Sequence, residues 1–352
     1  MIRLLSMNDT NNIVLSYFEK GKSYSSSEIH ARSGRKTSLV TIKRSLSNLL
    51  AAGYLARIGA GRSIRYTLER KGLLLRTFDV DTYLGKPQQD RIMQTGYNHH
   101  LFELPPVTMV GEQENEQLDS ATESYRNKAN ENSDVRKREL ERFVVEMSWK
   151  SARIEGNTYT LLDTEQLLLY GIKSPKNTEF EVQMLLGQKA AFTFVYENLE
   201  LWHEPSVSAI EKIQELAVSE LGVARNLRQT VVGITGTEYV PLGNAFQIRE
   251  ALEQLLVYVN AIDSVYEKAL MVVLGMSYIQ PFADGNKRTA RLLANGVLLA
   301  NGYAPISYRA VDETAYKEAT LIFYEQNSIV PFKQLFIDQY IYSATHYNIA
   351  AM

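Results

Sequence analysis

The chain contains no cysteine and no apolar run long enough to span a bilayer. Without cysteine it can form no disulfide, no thiolate zinc site and no thiol nucleophile. A membrane helix needs about 20 consecutive apolar residues, so we expect no membrane partner. The N-terminal segment MIRLLSMNDTNN also lacks the apolar core and cleavage site of a secretory signal. Together these absences favour a cytoplasmic protein.

The net charge of -2 combines a basic part and an acidic part of the chain. Residues 1–78 carry 14 Lys and Arg against 4 Asp and Glu, whereas residues 79–352 carry 24 against 36. This asymmetry indicates a nucleic-acid partner for the first part only. The composition, 45% hydrophobic and 22% charged, is typical of a globular protein, and the length allows two or three domains.

Residues 8–78 predict a small α+β domain. The segment 12–20 favours a short amphipathic helix, and Ser25 followed by Glu28 is a capping-box pattern that opens a second helix. Hydrophobic residues at helical spacing predict a third helix over about 38–52. After it, the segments YLARI and SIRYTL flank a Gly-Ala-Gly-Arg turn and predict two strands.

This order of helices and strands resembles a winged helix-turn-helix domain. The resemblance implies that basic side chains of the third helix and the wing contact DNA, through the major groove and the phosphates. The alternative is a solvated basic face on a winged helix that binds protein. The candidate DNA-binding side chains are Arg35, Lys36, Lys43, Arg44, Arg62 and Arg65.

Residues 79–135 predict a connector between two domains. Residues 79–107 mix aromatic side chains with Pro and Gly, which favours an irregular packed segment. Residues 111–134 are polar, acidic and poor in large apolar side chains, which predicts a flexible or exposed segment. His99 and His100 are adjacent and point in different directions on most backbones, so we expect no metal site there.

Helical periodicity dominates residues 136–340, which we expect to form one domain. The stretch RQTVVGITGTEYVPLG interrupts it with β-branched runs on either side of Gly236 and predicts a β-hairpin. The fold class is therefore mostly α, an all-helical core with one hairpin after a small α+β domain. The candidate helices cover about 136–155, 163–170, 178–199, 206–220, 244–260, 263–279, 286–301 and 312–325.

The stretch SYIQPFADGNKRTARLLANGVLLANGY predicts an anion-binding helix start. An apolar helix ends at Ile279, Pro281 breaks it, and a Gly-Asn turn opens the next helix. Free backbone N–H groups and the positive end of the helix dipole favour a di- or triphosphate there. Asp284 is a hard oxygen ligand suited to Mg²⁺ between phosphates. The predicted binding set is Asp284, Gly285, Asn286, Lys287, Arg288 and Arg291.

The same stretch resembles the Fic family signature HxFx(D/E)GN(G/K)RxxR. The resemblance covers about residues 136–340 and implies a helical Fic-type core that binds ATP and Mg²⁺. It further implies transfer of AMP to a hydroxyl of a target protein, with the first motif residue as base. This chain has Gln280 at that position, where the family has histidine. The matching residues are Phe282, Asp284, Gly285, Asn286, Lys287, Arg288 and Arg291.

Two further segments resemble parts of that family. The predicted hairpin, about 233–241, looks like the flap that docks a target segment by strand addition. SARIEGN resembles the N-terminal inhibitory pattern (S/T)xxxE(G/N), which implies that Glu155 pairs with Arg291 and occupies the arginine that binds the γ-phosphate. The candidate flap residues are Ile234, Thr235, Gly236, Thr237, Glu238 and Tyr239, and the inhibitory residues are Ser151, Glu155 and Gly156.

Glutamine has no titratable group near neutral pH, so Gln280 cannot act as the base. Three hypotheses follow: an adenylyltransferase with weak transfer, a DNA-binding regulator whose Fic-like domain is a nucleotide-sensing pseudoenzyme, or altered chemistry such as AMP removal with Glu155 orienting water. The expected partners are ATP, DNA for the N-terminal domain and a target protein with an acceptor hydroxyl. A second copy of the chain, in a homodimer, is a further candidate.

Overall fold

The computed structural model describes residues 9–128 and 133–349 of the chain. Within these ranges the protein is mostly α-helical, with fifteen α-helices and one three-stranded sheet. The predicted mostly α fold class, with a small α+β module before a helical core, is confirmed. Residue 8, the predicted start of the first domain, and residues 129–132 of the connector lie outside the described ranges. None of the described helices combines the length and apolarity that crossing a bilayer requires.

Three helices and three short strands build the N-terminal module, residues 9–68. The elements are α1 (Asp9–Ser16), β1 (Ser23–Tyr24), α2 (Ser26–Arg32), α3 (Leu39–Ala51), β2 (Leu55–Ile58) and β3 (Arg65–Leu68). Ser25 and Glu28 form the predicted capping box, with the Ser25 N–H donating to the Glu28 carboxylate at 2.7 Å. The two predicted strands pair antiparallel, and β1, which is too short for a sequence signal, pairs with the other edge of β3.

Helix α3 buries the face that its apolar spacing predicts. Ile42, Leu46 and Leu49 are fully buried in the core of the module. The opposite face is open to solvent and carries Lys43 and Arg44, both exposed. The module therefore has one packed face and one basic face on the same helix.

Twelve helices form the rest of the described chain. Eight of them, α7 to α14, agree with the eight predicted helices to within three residues at either end; the other four are additional. They are α4 (Arg70–Leu75), α5 (Val80–Leu84), α6 (Glu112–Asn127), α7 (Ser133–Ile154), α8 (Leu161–Tyr170), α9 (Glu179–Glu197), α10 (Val207–Ala217), α11 (Ala245–Asn260), α12 (Val265–Ile279), α13 (Asn286–Ala300), α14 (Glu313–Gln326) and α15 (Val330–His346).

Helices α12 and α13 form the centre of the helical part. Residues 269–279 of α12 and 288–299 of α13 are all buried. Their contact is the most extensive between any two described elements. Because both helices are enclosed by the others, the turn that joins them is fixed from both sides. That turn carries the signature residues.

Helix α6 lies in the segment 111–134 that we predicted to be flexible or exposed; where the chain is described, most acidic side chains are exposed, but the backbone is helical. Leu118, Ala121 and Tyr125 follow one another at spacings of three and four residues and are buried, so they form one apolar stripe. This stripe packs in the main core, and α6 lies against α15. The many acidic side chains lie mostly on the solvent side, and average composition does not predict the helical backbone.

The stretch 228–243 also differs from its prediction, since it forms no hairpin strands among the described residues. Gly236 turns the chain with a φ of 89°, and segments without regular secondary structure flank it. The Val240 N–H donates to the Thr95 carbonyl at 2.8 Å, and Arg91 donates to the Gly236 carbonyl at 3.1 Å. Arg91 and Thr95 of the connector thus form hydrogen bonds with this stretch in place of a paired strand. We call residues 229–243 the flap segment.

Polar contacts join the N-terminal module to the end of α14. Lys20 Nζ donates to Asn327 Oδ1 at 2.6 Å, and Arg76 Nη2 donates to Gln326 Oε1 at 2.8 Å. Arg76 also donates to the Phe18 carbonyl inside the module. Burial, and then the charge of Arg76, lower the pKa of Lys20 to about 8. The module is therefore anchored to the helix that follows α13.

Candidate functional site

The turn between α12 and α13 is locked by its own side chains. Gln280 ends α12 in the left-handed region, with φ of 51° and ψ of 59°. The Phe282 N–H donates to Asn286 Oδ1, and Asn286 Nδ2 donates to the Phe282 carbonyl, each at 2.8 Å. The Asn286 side chain is thus already engaged, so a ligand contact predicted for this residue is restricted to its backbone N–H.

Gly285 occupies the position before the first turn of α13, and two constraints select glycine there. Its φ of 81° lies in the left-handed region, and an added Cβ would lie 2.7 Å from Val218 Cγ1. Asp284 Oδ1 accepts the Gly285 N–H at 2.6 Å. The turn therefore approaches the end of α10 closely.

The first N–H groups of α13 form an anion-binding position. Within residues 9–128 and 133–349, the backbone N–H groups of Asn286, Lys287 and Arg288 have no hydrogen-bond partner. The first intrahelical bond runs from the Thr289 N–H to the Gly285 carbonyl at 2.8 Å. Free amides and the positive end of the helix dipole favour a phosphate or carboxylate there.

Arg288 lines the smaller cavity at this position, but its guanidinium is engaged by the protein itself. Its Nη1 donates to the Ala217 carbonyl at 3.0 Å and its Nη2 to Asp284 Oδ2 at 3.1 Å. The side chain is only 2% exposed. Burial lowers the pKa of Arg288, against the opposing attraction of Asp284. Arg288 therefore supports the turn, and a ligand reaches it only by competing with Asp284.

Asp284 is the one predicted metal ligand, and it stands at the mouth of the site with half its side chain exposed. The described residues contain no group of three or more His, Asp or Glu side chains arranged to hold a metal ion. A single carboxylate fits a Mg²⁺ that keeps several waters and takes its other ligands from phosphates. The residues present suit that kind of site and no all-protein cage.

Arg291 is completely buried, and all three of its nitrogens donate hydrogen bonds. Nε donates to the Ser151 hydroxyl at 3.0 Å and Nη1 to the Tyr316 hydroxyl at 3.3 Å. Nη2 donates to the Ser151 carbonyl at 3.0 Å and to Glu155 Oε1 at 2.8 Å. The predicted contact between Glu155 and Arg291 is present, and Ser151 fixes the plane of the guanidinium.

Glu155 lies among cations in front of the start of α13. Its second carboxylate oxygen is 3.6 Å from Lys287 Nζ. Burial acts to raise the pKa of Glu155, but the attraction of Arg291 and Lys287 prevails and holds that pKa below its usual value. The carboxylate is therefore ionised at neutral pH. Gly156 follows with a φ of 99°, which lets the chain turn away directly after it.

The Gln280 side chain is 8% exposed and held on its amide nitrogen. Nε2 donates to the Ser277 carbonyl at 2.7 Å and to the Tyr324 hydroxyl at 3.3 Å. Burial raises the pKa of Tyr324 well above its ordinary value, so this hydroxyl stays protonated at neutral pH. Neither Gln280 nor Tyr324 can accept a proton there, and Oε1 of Gln280 remains as a hydrogen-bond acceptor.

Two adjoining cavities meet at Glu155, Gln280 and Lys287. The smaller, 180 Å³, is formed by the turn and the start of α13. The larger, 440 Å³, lies between the flap segment and α14. Its lining combines aliphatic, aromatic and cationic side chains, which suits a ligand with a planar ring and an anionic end. The α14 residues that line it are Tyr316, Lys317, Thr320, Leu321 and Tyr324.

Helix α14 belongs to the site, although no motif in its sequence marks it. The only signal is an i, i+4, i+8 series of Tyr316, Thr320 and Tyr324, whose members end up on one face. Such a stripe is more often core, and these three side chains are indeed largely buried. Their contact with Arg291 and Gln280 cannot be read from spacing.

The flap segment divides into a free part and an anchored part. The backbone groups of residues 231–235 have no hydrogen-bond partner in the described chain, and Thr235 is exposed. Tyr239 is 1% exposed, stacks on Tyr278 at 4.6 Å and donates its hydroxyl to the Tyr278 carbonyl at 2.9 Å. Tyr239 and the buried Thr237 therefore hold the segment down, with their side chains turned away from solvent. Ile234, Thr235, Gly236 and Glu238 remain accessible.

The predicted DNA-binding side chains lie on one module but differ in freedom. Arg65 is engaged, with Nη2 donating to the Ser23 carbonyl at 2.6 Å and lying 2.9 Å from the Glu28 carboxylate. The others are exposed and have no ion-pair partner among the described residues. These are Arg35, Lys36, Lys43, Arg44 and Arg62.

Residues 204–298 match the sequence profile of the Fic/DOC family. The matched range includes the flap segment, the turn between α12 and α13, and most of α13. It ends before α14, and Glu155 lies upstream of it.

Two curated relatives are similar to about half of this chain. Protein adenylyltransferase fic-1 of Caenorhabditis elegans is 29% identical over 168 residues, 45% of this chain and 32% of that protein. Protein adenylyltransferase Fic of Nematostella vectensis is 31% identical over 195 residues, 52% of this chain and 44% of that protein. The chain therefore matches less than half of the length of each of these two relatives.

Solved structures share the fold. A fragment of Fic-1 from C. elegans superposes with a TM-score of 0.57 at 21% identity, covering 67% of this chain and 72% of the fragment. A Fic domain containing signaling protein from Bacteroides thetaiotaomicron superposes with a TM-score of 0.54 at 22% identity, covering 65% of this chain and 95% of that one. At these identities the likeness shows the fold alone.

Proposed function

We propose that this chain, which contains a Fic/DOC family domain, is a protein adenylyltransferase of the Fic type. ATP binds in the two adjoining cavities, Glu155 keeps the site autoinhibited, and Gln280 slows the transfer step. The curated relatives are named for this activity. Since the matches span less than half of those proteins, the site geometry supplies the remaining support.

The contact of Glu155 with Arg291 and Lys287 carries the proposal. A carboxylate at 2.8 Å from Arg291 lines the same cavity as the residues with three free backbone N–H groups, where a phosphate would bind. An anionic side chain held at an anion-binding position indicates that the position is made for negative charge. Because a carboxylate and a phosphate compete for the same guanidinium, Glu155 limits how a triphosphate is placed.

The two cavities suit the two ends of ATP. The smaller one offers the amides at the start of α13 and Lys287 to the phosphates. The larger one, at 440 Å³, falls within the range of about 300–1,000 Å³ that small-molecule sites occupy, and Tyr316 and Tyr324 give it an aromatic wall. Mg²⁺, when bound, neutralises phosphate charge, and Asp284 would be its protein ligand.

The transfer step joins a hydroxyl oxygen of the target to the α-phosphorus of ATP. The bond from that phosphorus to its bridging oxygen breaks, and pyrophosphate leaves with the electron pair. The hydroxyl proton needs an acceptor, and Gln280 Oε1 can orient the hydroxyl without taking the proton. The proton therefore passes to water, and we expect slow transfer from an intact binding site.

Removing the Glu155 carboxylate tests the binding site directly. We expect the Glu155→Gly variant to bind ATP-Mg²⁺ roughly tenfold more tightly, because Arg291 gains a charge-assisted bond to phosphate worth about 1.5–3 kcal/mol. Titration calorimetry on the full chain measures the change. Glu155→Gln is the matched control, and we expect an intermediate affinity because it removes the charge but keeps an acceptor. Equal affinity in all three proteins would contradict the autoinhibitory role.

A DNA-binding regulator with a nucleotide-sensing Fic-like domain is the second candidate function. One observation favours it: Lys43 and Arg44 lie on the exposed face of α3 without an ion-pair partner among the described residues. The sequence of this module resembles a winged helix, in which such a face enters the major groove. Gln280 fits this alternative as well, since sensing needs no base.

Salt dependence distinguishes a DNA-binding surface from a solvated basic face. If the full chain binds duplex DNA, we expect Lys43→Ala/Arg44→Ala to weaken binding and reduce the slope of log K against log salt by about 2, one for each lost phosphate contact. Lys212→Ala/Arg249→Ala, exposed cations of the helical part, should leave the slope unchanged. Absence of DNA binding at 50 mM salt would exclude this function.

A further inference from the structure

Arg228 lies at the entry to the flap segment and is 3% exposed. Its Nε donates to the Gln280 carbonyl at 2.6 Å, and its Nη2 donates to the Ile279 carbonyl at 3.4 Å. Its Nη1 donates to the Thr230 carbonyl at 2.6 Å, and its backbone N–H donates to the Pro281 carbonyl at 3.0 Å. One residue thus ties the flap segment to both sides of position 280.

No carboxylate lies within ion-pair distance of Arg228 in the described part of the chain. Burial lowers the pKa of its guanidinium, with Tyr239 acting in the opposite direction. A buried cation without an anionic partner is costly, and carbonyl dipoles are its whole compensation. Two of those carbonyls, of Ile279 and Gln280, lie at the C-terminal end of α12, where the helix dipole favours a positive charge.

Gln280 needs such support because of its backbone. A glutamine with φ of 51° and ψ of 59° occupies a region that residues with a Cβ adopt rarely. The Ile279 and Gln280 carbonyls belong to the peptide planes on either side of this residue. Fixing both planes fixes the direction of the Cα–Cβ bond, and so the side chain at the junction of the two cavities.

We propose that Arg228 is a positioning residue that holds the side chain at position 280 in register with the free edge of the flap segment, residues 231–235. A target segment docked on that edge then presents its hydroxyl to position 280 and to the α-phosphate. This inference rests on the proposed function. Arg228 lines neither cavity, so its effect falls on alignment and leaves nucleotide affinity intact.

The first experiment needs no transfer activity. The chain has no cysteine, so Val231→Cys and Lys212→Cys can carry spin labels that report the distance from the flap segment to α10. In this background we expect Arg228→Met to broaden the distance distribution and to speed hydrogen exchange of the Gln280 and Phe282 amides at least tenfold. Arg225→Met, an exposed arginine paired with Glu215, is the control and should change neither.

Two results of that experiment overturn the proposal. One is a change confined to the flap segment or to the turn, since Arg228 then does not connect them. The other is an equal rise in exchange across the whole helical part, which indicates a structural role only. The proposal is supported if the flap segment and the turn both change while hydrogen exchange in the rest of the helical part stays unaltered.

The second experiment measures alignment through catalysis. In a Glu155→Gly/Gln280→His parent, we expect Arg228→Met to lower kcat about 10- to 100-fold, the effect of misplacing reacting groups by roughly 1 Å. The Kd of ATP-Mg²⁺ should change less than threefold, and Arg228→Lys should recover part of kcat. A weakening of ATP-Mg²⁺ binding that parallels the fall in kcat, or an unchanged kcat, contradicts the proposal. If the parent itself transfers no AMP, the proposed function fails, and the first experiment still decides the role of Arg228.

Discussion

Histidine at position 280 is expected to raise AMP transfer by about 10²- to 10⁴-fold when Gln280→His is combined with Glu155→Gly. The reason is that a positioned general base contributes rate enhancement of that size. Glutamine at the same place orients a hydroxyl but leaves its proton without an acceptor. The measurement is transfer of label from ATP labelled at the α-phosphate, to the chain itself or to added candidate proteins, against Glu155→Gly alone.

The pH dependence of the same reaction separates a base from a mere change of shape. With histidine, the rate should rise as pH increases through about 6.5, the ordinary pKa of an imidazole. Gln280→Ala in the Glu155→Gly background is the control, and its rate should stay low and show no such step. Equal transfer by the histidine and alanine variants would contradict a base at position 280.

Loss of Arg291 is expected to cause the largest change in stability. Arg291→Met removes the cation that compensates Glu155 and leaves the Ser151 carbonyl without its donor. Breaking a buried ion pair on one side typically costs about 3–5 kcal/mol. Because Glu155 keeps 20% of its side chain exposed, we expect the lower end, about 3 kcal/mol. Urea unfolding of the full chain measures this difference.

The double variant Arg291→Met/Glu155→Gln tests whether the loss comes from an unpaired charge. We expect it to be more stable than Arg291→Met alone, since no uncompensated carboxylate remains. The pKa of Glu155 is lowered in the folded protein. The ion pair with Arg291 therefore stabilises the folded state fully at pH values above the ordinary pKa of a glutamate. This stabilisation is lost as the pH falls through the lowered pKa. The difference in the free energy of unfolding between wild type and the double variant should therefore become smaller in acid. Identical single and double variants would contradict this account.

The turn between α12 and α13 could be predicted because its determinants are local. Pro281 ends one helix and Gly285 permits the left-handed start of the next, so both follow from residue type. The contact of Glu155 with Arg291, 136 residues apart, came from a resemblance to a known inhibitory pattern. Spacing alone could not have supplied it.

The roles of Asn286 and Arg288 could not be predicted, although their positions could. A side chain near an anion-binding turn can face the ligand or brace the turn, and the choice depends on distant carbonyl groups. Arg288 meets the Ala217 carbonyl of α10, and Asn286 meets the Phe282 backbone. Both therefore stabilise the turn through contacts that the motif does not specify.

The predicted hairpin strands are absent from the described residues, and the segment predicted to be flexible or exposed forms a helix with exposed acidic side chains. β-branched residues around Gly236 favour extended backbone, but pairing also needs a partner, and Thr95 of the connector takes that place. In α6, a few apolar residues at helical spacing suffice because α15 supplies the other half of the contact. In both segments, contacts with residues distant in the sequence determine the conformation.

Helix α14 has consequences for how the two ends of the molecule behave together. Its 14 residues extend about 21 Å, with Tyr316 beside Arg291 at one end and Gln326 beside Arg76 at the other. Asn327, which ends α14, accepts a hydrogen bond from Lys20. This one helix therefore connects the wall of the larger cavity to the module that carries the exposed basic face.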